Sequence, residues 1–195
     1  DRKPELAMMH FKEAIRLKPE STQPRENLYD TFMWQKQNLK AVECAKKLAA
    51  MAPDNSEWYN KTGAAFDALG DIKQAEQYYR KALKKDVVHL ETINNLASLL
   101  ISQRRYTEAE IILGKALSSG KSNANIYFNL GVVSSFQKDY DSAAKYFLKV
   151  VEFNPDDAVA HFLAGKELLK LGEREKGDKH IAKARQLDPD NNKFY

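Results

Sequence analysis

The hydrophobic pattern over residues 59–86 predicts two short helices that pack against each other. Apolar and small residues recur there at intervals of three, four and seven, which is the period of an amphipathic helix. Gly70 and Asp71 separate the two helical patterns. Gly63 and Ala75 are small enough to let the two helices approach closely. The stretch therefore predicts a helix–turn–helix unit.

This unit recurs along the chain at one fixed interval, the interval that separates Ala7 from Ala41. The small residue of the second helix recurs as Ala7, Ala41, Ala75, Ala109, Ala143 and Gly177. The small residue of the first helix recurs as Gly63, Ala97, Gly131 and Gly165, and the closing proline as Pro19, Pro53, Pro155 and Pro189. No insertion breaks this register, so we expect stacked copies of one unit.

The pattern resembles the tetratricopeptide repeat, a helix–turn–helix unit whose period is the interval found here. The resemblance implies an all-α, right-handed superhelical solenoid without a single central core. The predicted parts are a second helix of a truncated leading repeat (1–21), five repeats (22–55, 56–89, 90–123, 124–157 and 158–191) and a stub of a following helix or a tail (192–195). Because the chain opens partway through a repeat and does not begin with methionine, we expect a fragment of a longer protein.

Two tyrosines stand out against the repeat. Tyr29 occupies the place of a glycine or alanine, so we expect its ring to push two helices apart or to swing outward. Tyr195 falls at the aromatic position of a following first helix. Gly120 follows a helical pattern and is predicted to be its left-handed cap.

Composition and charge favour a soluble protein-binding fold. The 195 residues include 31 basic and 27 acidic ones, and the longest basic runs are pairs, which is typical of solvated helix faces rather than of nucleic-acid binding. No apolar run approaches the roughly 18 residues of a membrane span. The single cysteine, Cys44, cannot form an internal disulfide, and we interpret it as a small buried hydrophobe. The single cysteine and the lack of a visible signal peptide favour a cytoplasmic location but do not require one.

Catalysis, a metal and a cofactor are not predicted. The four histidines, His10, His89, His161 and His180, do not fall at ligand spacing. His161 takes a position that usually holds an aromatic residue, so we expect a hydrogen-bonded core imidazole. The sequence from Gly120 to Ser122 lacks the earlier glycine and the strand of a phosphate loop. We therefore predict a non-enzymatic protein.

In this family the first helices line a concave groove that binds extended peptides or partner helices. Asn27, Asn95 and Asn129 fall at one groove position, where a carboxamide can both donate to and accept from a peptide backbone. Lys61 and Leu163 interrupt the series. As surface residues these asparagines should tolerate alanine with little effect on the fold.

The family's carboxylate clamp for chaperone C-termini needs a basic residue one position before the asparagine. That position holds Glu26, Asn60, Asn94, Phe128 and Phe162, none of which is basic. We therefore predict that the chain is not a chaperone co-factor of that kind.

The lining of the groove changes along the chain. The N-terminal part is polar and acidic, with Glu26, Asn27, Asp30, Glu57 and Asp67. The C-terminal part offers Phe128, Val132, Phe136, Phe162, Leu163, Lys166 and Lys170. The hypothesis is that the three phenylalanines anchor an apolar segment and the two lysines meet its acidic flank. Alternatively, Phe128 and Phe162 pack between adjacent first helices.

The predicted function is a non-catalytic scaffold or adaptor that binds a protein or peptide segment in its groove. One alternative is the targeting or substrate-recruiting arm of a larger enzyme such as a glycosyltransferase. Another is a self-assembly module that forms a homo-oligomer. The predicted partner-binding residues are Asn27, Asn95, Asn129, Phe128, Val132, Phe136, Phe162, Lys166 and Lys170.

Overall fold

The computed structural model describes residues 3–194, which form eleven α-helices, one 3-10 helix and no strand. The helices are α1 (Lys3–Leu17), α2 (Gln23–Trp34), α3 (Asn38–Met51), α4 (Ser56–Leu69), α5 (Ile72–Lys85), α6 (Leu90–Ser102), α7 (Tyr106–Ser118), α8 (Ala124–Phe136), α9 (Tyr140–Phe153), α10 (Ala158–Lys170), α11 (Arg174–Leu187) and the 3-10 helix (Asn192–Phe194). The predicted all-α fold is confirmed. The prediction for Tyr195 lies outside the described residues.

The chain forms two compact units, one up to Asn95 and one from Leu96, so that the boundary falls within α6. In the first unit, α2 packs on α3 and α4 on α5; in the second, α8 packs on α9 and α10 on α11. Within residues 3–194, no helix is long and apolar enough to cross a membrane.

Each helix pair turns through a residue in the left-handed conformation. These residues follow one another at the repeat interval and are Lys36 (φ 57°), Gly70 (84°), Arg104 (61°), Lys138 (65°) and Gly172 (82°). The second helix of a pair then begins, in two cases, with an aspartate: the Asp71 carboxylate accepts from the Gln74 amide at 3.1 Å, and Asp139 from Ser142 at 3.1 Å. Gly120 has a φ of 73°, as predicted for a left-handed cap after α7.

The small residues of the first helices lie directly against large side chains of the second helices. A Cβ placed on Gly63 would be 2.6 Å from the Tyr79 ring, and one on Gly131 would be 2.7 Å from the Phe147 ring. A Cβ on Gly165 would meet the backbone oxygen of Gly177 at 2.8 Å. The close approach predicted from residue size is therefore present in these pairs.

Tyr29 does not swing outward, which corrects one of the two expectations for it. Its side chain is buried, and its hydroxyl donates to the Lys61 carbonyl oxygen of α4 at 3.0 Å. Burial raises the pKa of Tyr29 far above its usual value, so the hydroxyl keeps the proton that it donates. Ala45 stands where α5 carries Tyr79. The usual size pattern, small on the first helix and large on the second, is thus reversed in α2 and α3.

Candidate functional site

Helices α8 and α10 present a half-buried apolar surface in the second unit. The Asn123 side chain caps α8 by accepting from the Ile126 amide at 3.0 Å, and Asp157 caps α10 by accepting from Ala160 at 2.9 Å. Phe128, Val132 and Leu163 are half-buried and pack against the core cluster of Ala143, Phe147 and Ala164. With Phe162 and Lys166, these three residues make up what we call the α8–α10 surface.

The aromatic residues of the α8–α10 surface are held by other rings. Phe128 lies edge-on to the buried Phe147, with ring centroids 5.8 Å apart. Phe162 lies against Phe194 of the 3-10 helix, with ring centroids 4.9 Å apart and ring planes tilted by 31°. Each ring is thus supported by another aromatic side chain and remains partly exposed. Lys166 is exposed on α10.

Phe136 and Lys170 lie one repeat apart and make the same kind of contact. The Phe136 ring stacks on Tyr106 at 4.9 Å, and the Lys170 ammonium lies 4.5 Å from the centroid of Tyr140. Both tyrosines are the first residue of the preceding second helix. Phe136 nevertheless remains 59% exposed. The two residues therefore hold neighbouring helix pairs together at their turns, which the sequence pattern did not indicate.

Lys170 also belongs to a buried polar network that the sequence did not reveal. Its ammonium donates to the Glu167 carboxylate at 2.8 and 3.0 Å, and the Ser135 hydroxyl donates to the same carboxylate at 2.8 Å. Glu167 is 1% exposed. A carboxylate this deeply buried requires such partners. The network ties α8 to α10 beside the apolar surface and engages the charge of Lys170.

The asparagines of the predicted series have different surroundings. Asn27 accepts from the Gln23 side chain at 3.3 Å, and Asn129 is almost fully buried in α8. Asn95 donates to the Oδ1 atom of Asn60 at 3.1 Å, and Asn60 is fully buried. The Asn60 Nδ2 group has no hydrogen-bond partner within the described part of the chain. Asn95 is thus part of the packing between α4 and α6.

The acidic residues of the first unit are partly balanced by a lysine. The Lys61 ammonium lies 3.8 Å from the Glu57 carboxylate and 4.0 Å from that of Asp30. It also faces the rings of Trp58 and Tyr29 at 5.1 and 5.5 Å. Lys61 therefore reduces the negative charge predicted for this part of the groove.

The side chains of His161, His180 and Cys44 make contacts within the fold. His161 is 7% exposed; its Nε2 lies 3.0 Å from the Pro155 carbonyl oxygen and its Nδ1 2.9 Å from Nδ1 of His180, as expected for a core imidazole. Burial, followed by the nearby His161 and Lys179, lowers the pKa of His180. Burial raises the pKa of Cys44, which suits an inert thiol. Over residues 3–194, no three potential ligands cluster around a metal position.

Comparison with protein families identifies the repeat. Three family models described as tetratricopeptide repeat match residues 35–86, 89–122 and 124–157. Among solved structures, that of YrrB, described as a TPR protein with an unusual peptide-binding site, aligns with a TM-score of 0.70 and 22% identity over 93% of each chain. This likeness extends the repeat solenoid to nearly the whole chain.

Curated relatives carry the same repeat within longer proteins. Anaphase-promoting complex subunit 3 of Schizosaccharomyces pombe is 20% identical over 91% of this chain, which spans 27% of that protein. The human protein O-mannosyl-transferase TMTC3 is 31% identical over 38% of this chain, which corresponds to 8% of the transferase. The family models and the matching fold agree on one conclusion: this chain belongs to the tetratricopeptide repeat family.

Proposed function

We propose that this chain is a non-catalytic scaffold that binds a partner's peptide segment on the α8–α10 surface. The observation that carries the proposal is the apolar cluster of Phe128, Val132 and Leu163, which packs on the core and stays partly exposed on the same helices as the exposed Lys166. A peptide with an apolar side chain next to a carboxylate would match this surface. Two similar proteins support the general role: one is named as a subunit of the anaphase-promoting complex, and the other, similar in fold, is described as having a peptide-binding site.

The residues proposed from sequence contribute unequally. Phe136 and Lys170 lie at the turns and already contact Tyr106 and Tyr140. We therefore place Phe136 at the margin of the binding surface and assign Lys170 a structural role. Lys166 is the lysine available to an acidic flank.

We propose that fewer of the three asparagines contact a partner than the sequence predicted. We expect Asn95→Ala to destabilise the first unit by about 1–3 kcal/mol, because the buried Oδ1 atom of Asn60 loses the donor that Asn95 supplies. Asn27 is half-exposed, so Asn27→Ala tests backbone recognition without this loss.

The test selects peptides from a random library displayed on phage and measures their affinity by fluorescence anisotropy. Lys166→Glu should weaken a selected peptide with an acidic flank by about fivefold, as expected for an exposed ion pair. Lys115→Glu, an exposed substitution on α7, is the matched control. Equal affinities of the two variants would reject the α8–α10 surface as the site.

Phe136→Ala gives an independent result. If Phe136 anchors the partner, Phe136→Ala should reduce the binding free energy by about 2 kcal/mol. Loss of the Tyr106 stack alone should lower the unfolding free energy by about 0.5–1.5 kcal/mol and leave affinity unchanged. The pair of measurements therefore distinguishes an anchor from a helix-pair contact.

A second candidate function is the substrate-recruiting arm of a larger enzyme. It is favoured by the similarity to a segment of a protein O-mannosyl-transferase. The sequence of the complete protein would decide between the two, by showing or lacking a catalytic domain. Light scattering over a concentration series tests the third possibility, a self-assembly module.

A further inference from the structure

A crease of about 310 Å³ lies among α1, α2 and α3 of the first unit. Its apolar floor consists of Ile15, Leu28, Phe32 and Cys44. Leu28, Phe32 and Cys44 belong to the core of the first unit, with at most 8% of each exposed. The crease is therefore a recess in a packed core.

The crease differs from its counterpart one repeat later. Between α3 and α5 a similar crease is lined by Tyr59 and Tyr78, which take the places of Arg25 and Cys44 in the following repeat. The two tyrosine rings are replaced by a guanidinium group and a small thiol in the first crease. This exchange removes two aromatic rings from the lining and adds a positive charge.

Four cations surround the floor. Lys12, Arg25, Lys40 and Lys47 line the crease, and Glu43 is the one acidic residue among the lining side chains. Within the described part of the chain none of the four cations forms an ion pair, whereas exposed lysines elsewhere do, as in Lys85–Asp54. Four cations and one carboxylate therefore leave a positive balance around this recess.

The cations are also held near the recess. The Arg25 Nη1 group donates to the carbonyl oxygens of Pro19 and Ser21 at 2.7 and 3.2 Å. The Lys40 ammonium donates to the Gln37 side chain at 2.7 Å. Carbonyl and amide partners orient these groups without neutralising them, so both can still meet a carboxylate.

The spacing of the lysines fits an extended peptide. Lys40 and Lys47 are seven residues apart on α3, or about 10.5 Å along the helix axis. In an extended chain, side chains two residues apart point to the same side and lie about 7 Å apart. An apolar side chain in the crease would therefore bring carboxylates two residues before and after it towards opposite ends of this lysine pair.

We propose that this crease binds a partner segment in which one apolar side chain is flanked by carboxylates. The apolar side chain enters the recess over Leu28, Phe32 and Cys44, and the carboxylates meet Lys12, Arg25, Lys40 and Lys47. The site is formed by α1, α2 and α3 and does not depend on the proposed function of the α8–α10 surface. Either site can fail in experiment while the other stands.

The probe is the fluorescein-labelled heptapeptide Ala-Glu-Ala-Phe-Ala-Glu-Ala with blocked ends, titrated with the full chain. Replacing its phenylalanine by alanine should weaken binding about 30-fold, as for a buried anchor. Replacing both glutamates by lysine should abolish binding. Raising the salt concentration should weaken it, because the charged rim is exposed to solvent.

Two protein variants locate the site. Cys44→Tyr introduces the residue that the chain carries one repeat later and should fill the recess, which removes binding while helical content is retained. The double variant Lys12→Gln/Lys47→Gln should weaken binding about tenfold without a change in the core. Lys115→Gln is the matched control, because Lys115 takes the place of Lys47 two repeats later and lies outside the first unit.

Three outcomes would overturn the proposal. The first is equal affinity of the phenylalanine and alanine probes, and the second is equal weakening by Lys115→Gln and by the double variant. The third is tighter binding of a single-stranded oligonucleotide through the same lysines with no response to Cys44→Tyr, which would mark a general polyanion surface. If Cys44→Tyr fails to fold, the double variant and the two probes still decide the question.

Discussion

Gly131 lies in α8, where a methyl group would meet the ring of Phe147. A Cβ atom there would be 2.7, 2.8 and 2.9 Å from three carbon atoms of that ring. Phe147 is 1% exposed and packs with Phe128 and the cluster around Ala143. The ring therefore has little room to move, and Gly131→Ala should overpack the interface between α8 and α9.

The size of the effect follows from two opposing contributions. Alanine is favoured over glycine within a helix by about 1 kcal/mol. Overpacking a core costs about 1–3 kcal/mol. The net change for Gly131→Ala thus ranges from near zero to a loss of about 2 kcal/mol. For Gly131→Leu the loss is larger because more atoms must be placed.

Gly114→Ala is the control that isolates the steric cost. Gly114 lies within α7 of the same unit, and a Cβ there would meet nothing within 4 Å. This variant should gain only the higher helix propensity of alanine, which stabilises it by about 1 kcal/mol. The two alanine variants should therefore differ by the overpacking cost of about 1–3 kcal/mol, which corresponds to about 2–12 °C in Tm for a chain of this size.

A second substitution should rescue the first. In the corresponding places one repeat earlier, the chain carries Ala97 and Leu113. The double variant Gly131→Ala/Phe147→Leu copies that pair and should be more stable than the sum of the single changes predicts. Urea unfolding followed by far-ultraviolet circular dichroism measures the parent, Gly131→Ala, Phe147→Leu, the double variant and Gly114→Ala. Equal stability of Gly131→Ala and Gly114→Ala, or strict additivity in the double variant, would refute the proposed helix packing.

Three further predictions concern the second unit. Lys138→Gly should leave stability unchanged or raise it, because Lys138 has a left-handed φ of 65°, whereas Gly172→Ala should lower it by about 1 kcal/mol; thermal melts compare the two. The pKa of His180 is lowered on folding, so the unfolded chain takes up the proton more readily. The Tm of the parent should therefore fall as the pH drops below about 6.5, and the Tm of His180→Gln should fall less over the same pH range. Glu167→Ala should lower the unfolding free energy by about 1–3 kcal/mol, because it leaves Lys170 and Ser135 without their acceptor. If adding Lys170→Met to this variant recovers none of the lost stability, the Glu167–Lys170 ion pair is not the source of the loss.

Periodicity was enough to predict the helices because most repeats share one pattern of small and large residues. The repeat interval located the small positions that face Tyr79 and Phe147. The sequence showed that Tyr29 is unusually large for its position, but it could not predict where the ring would lie, because that depends on neighbours from other helices. The direction of the Tyr29 hydroxyl, towards the Lys61 carbonyl of α4, depends on the packing of the next helix.

Helical spacing predicted the placement of some residues of the α8–α10 surface but not their contacts. Phe128 and Val132 were correctly placed on one helix face, since residues four apart on a helix are neighbours. The stack of Phe136 on Tyr106 joins residues that belong to different helix pairs, so no local pattern indicates it. The burial of Glu167 likewise depends on partners brought together only by the fold.

Methyl NMR can locate a partner segment on the α8–α10 surface residue by residue. The protein is labelled at the methyl groups of leucine and valine, and a phage-selected peptide is titrated into it. If the segment binds there, the signals of Val132 and Leu163 should shift and saturate with the affinity measured by anisotropy, while those of the buried Leu113 stay in place. Shifts that spare Val132 and Leu163 while the peptide is fully bound would contradict it.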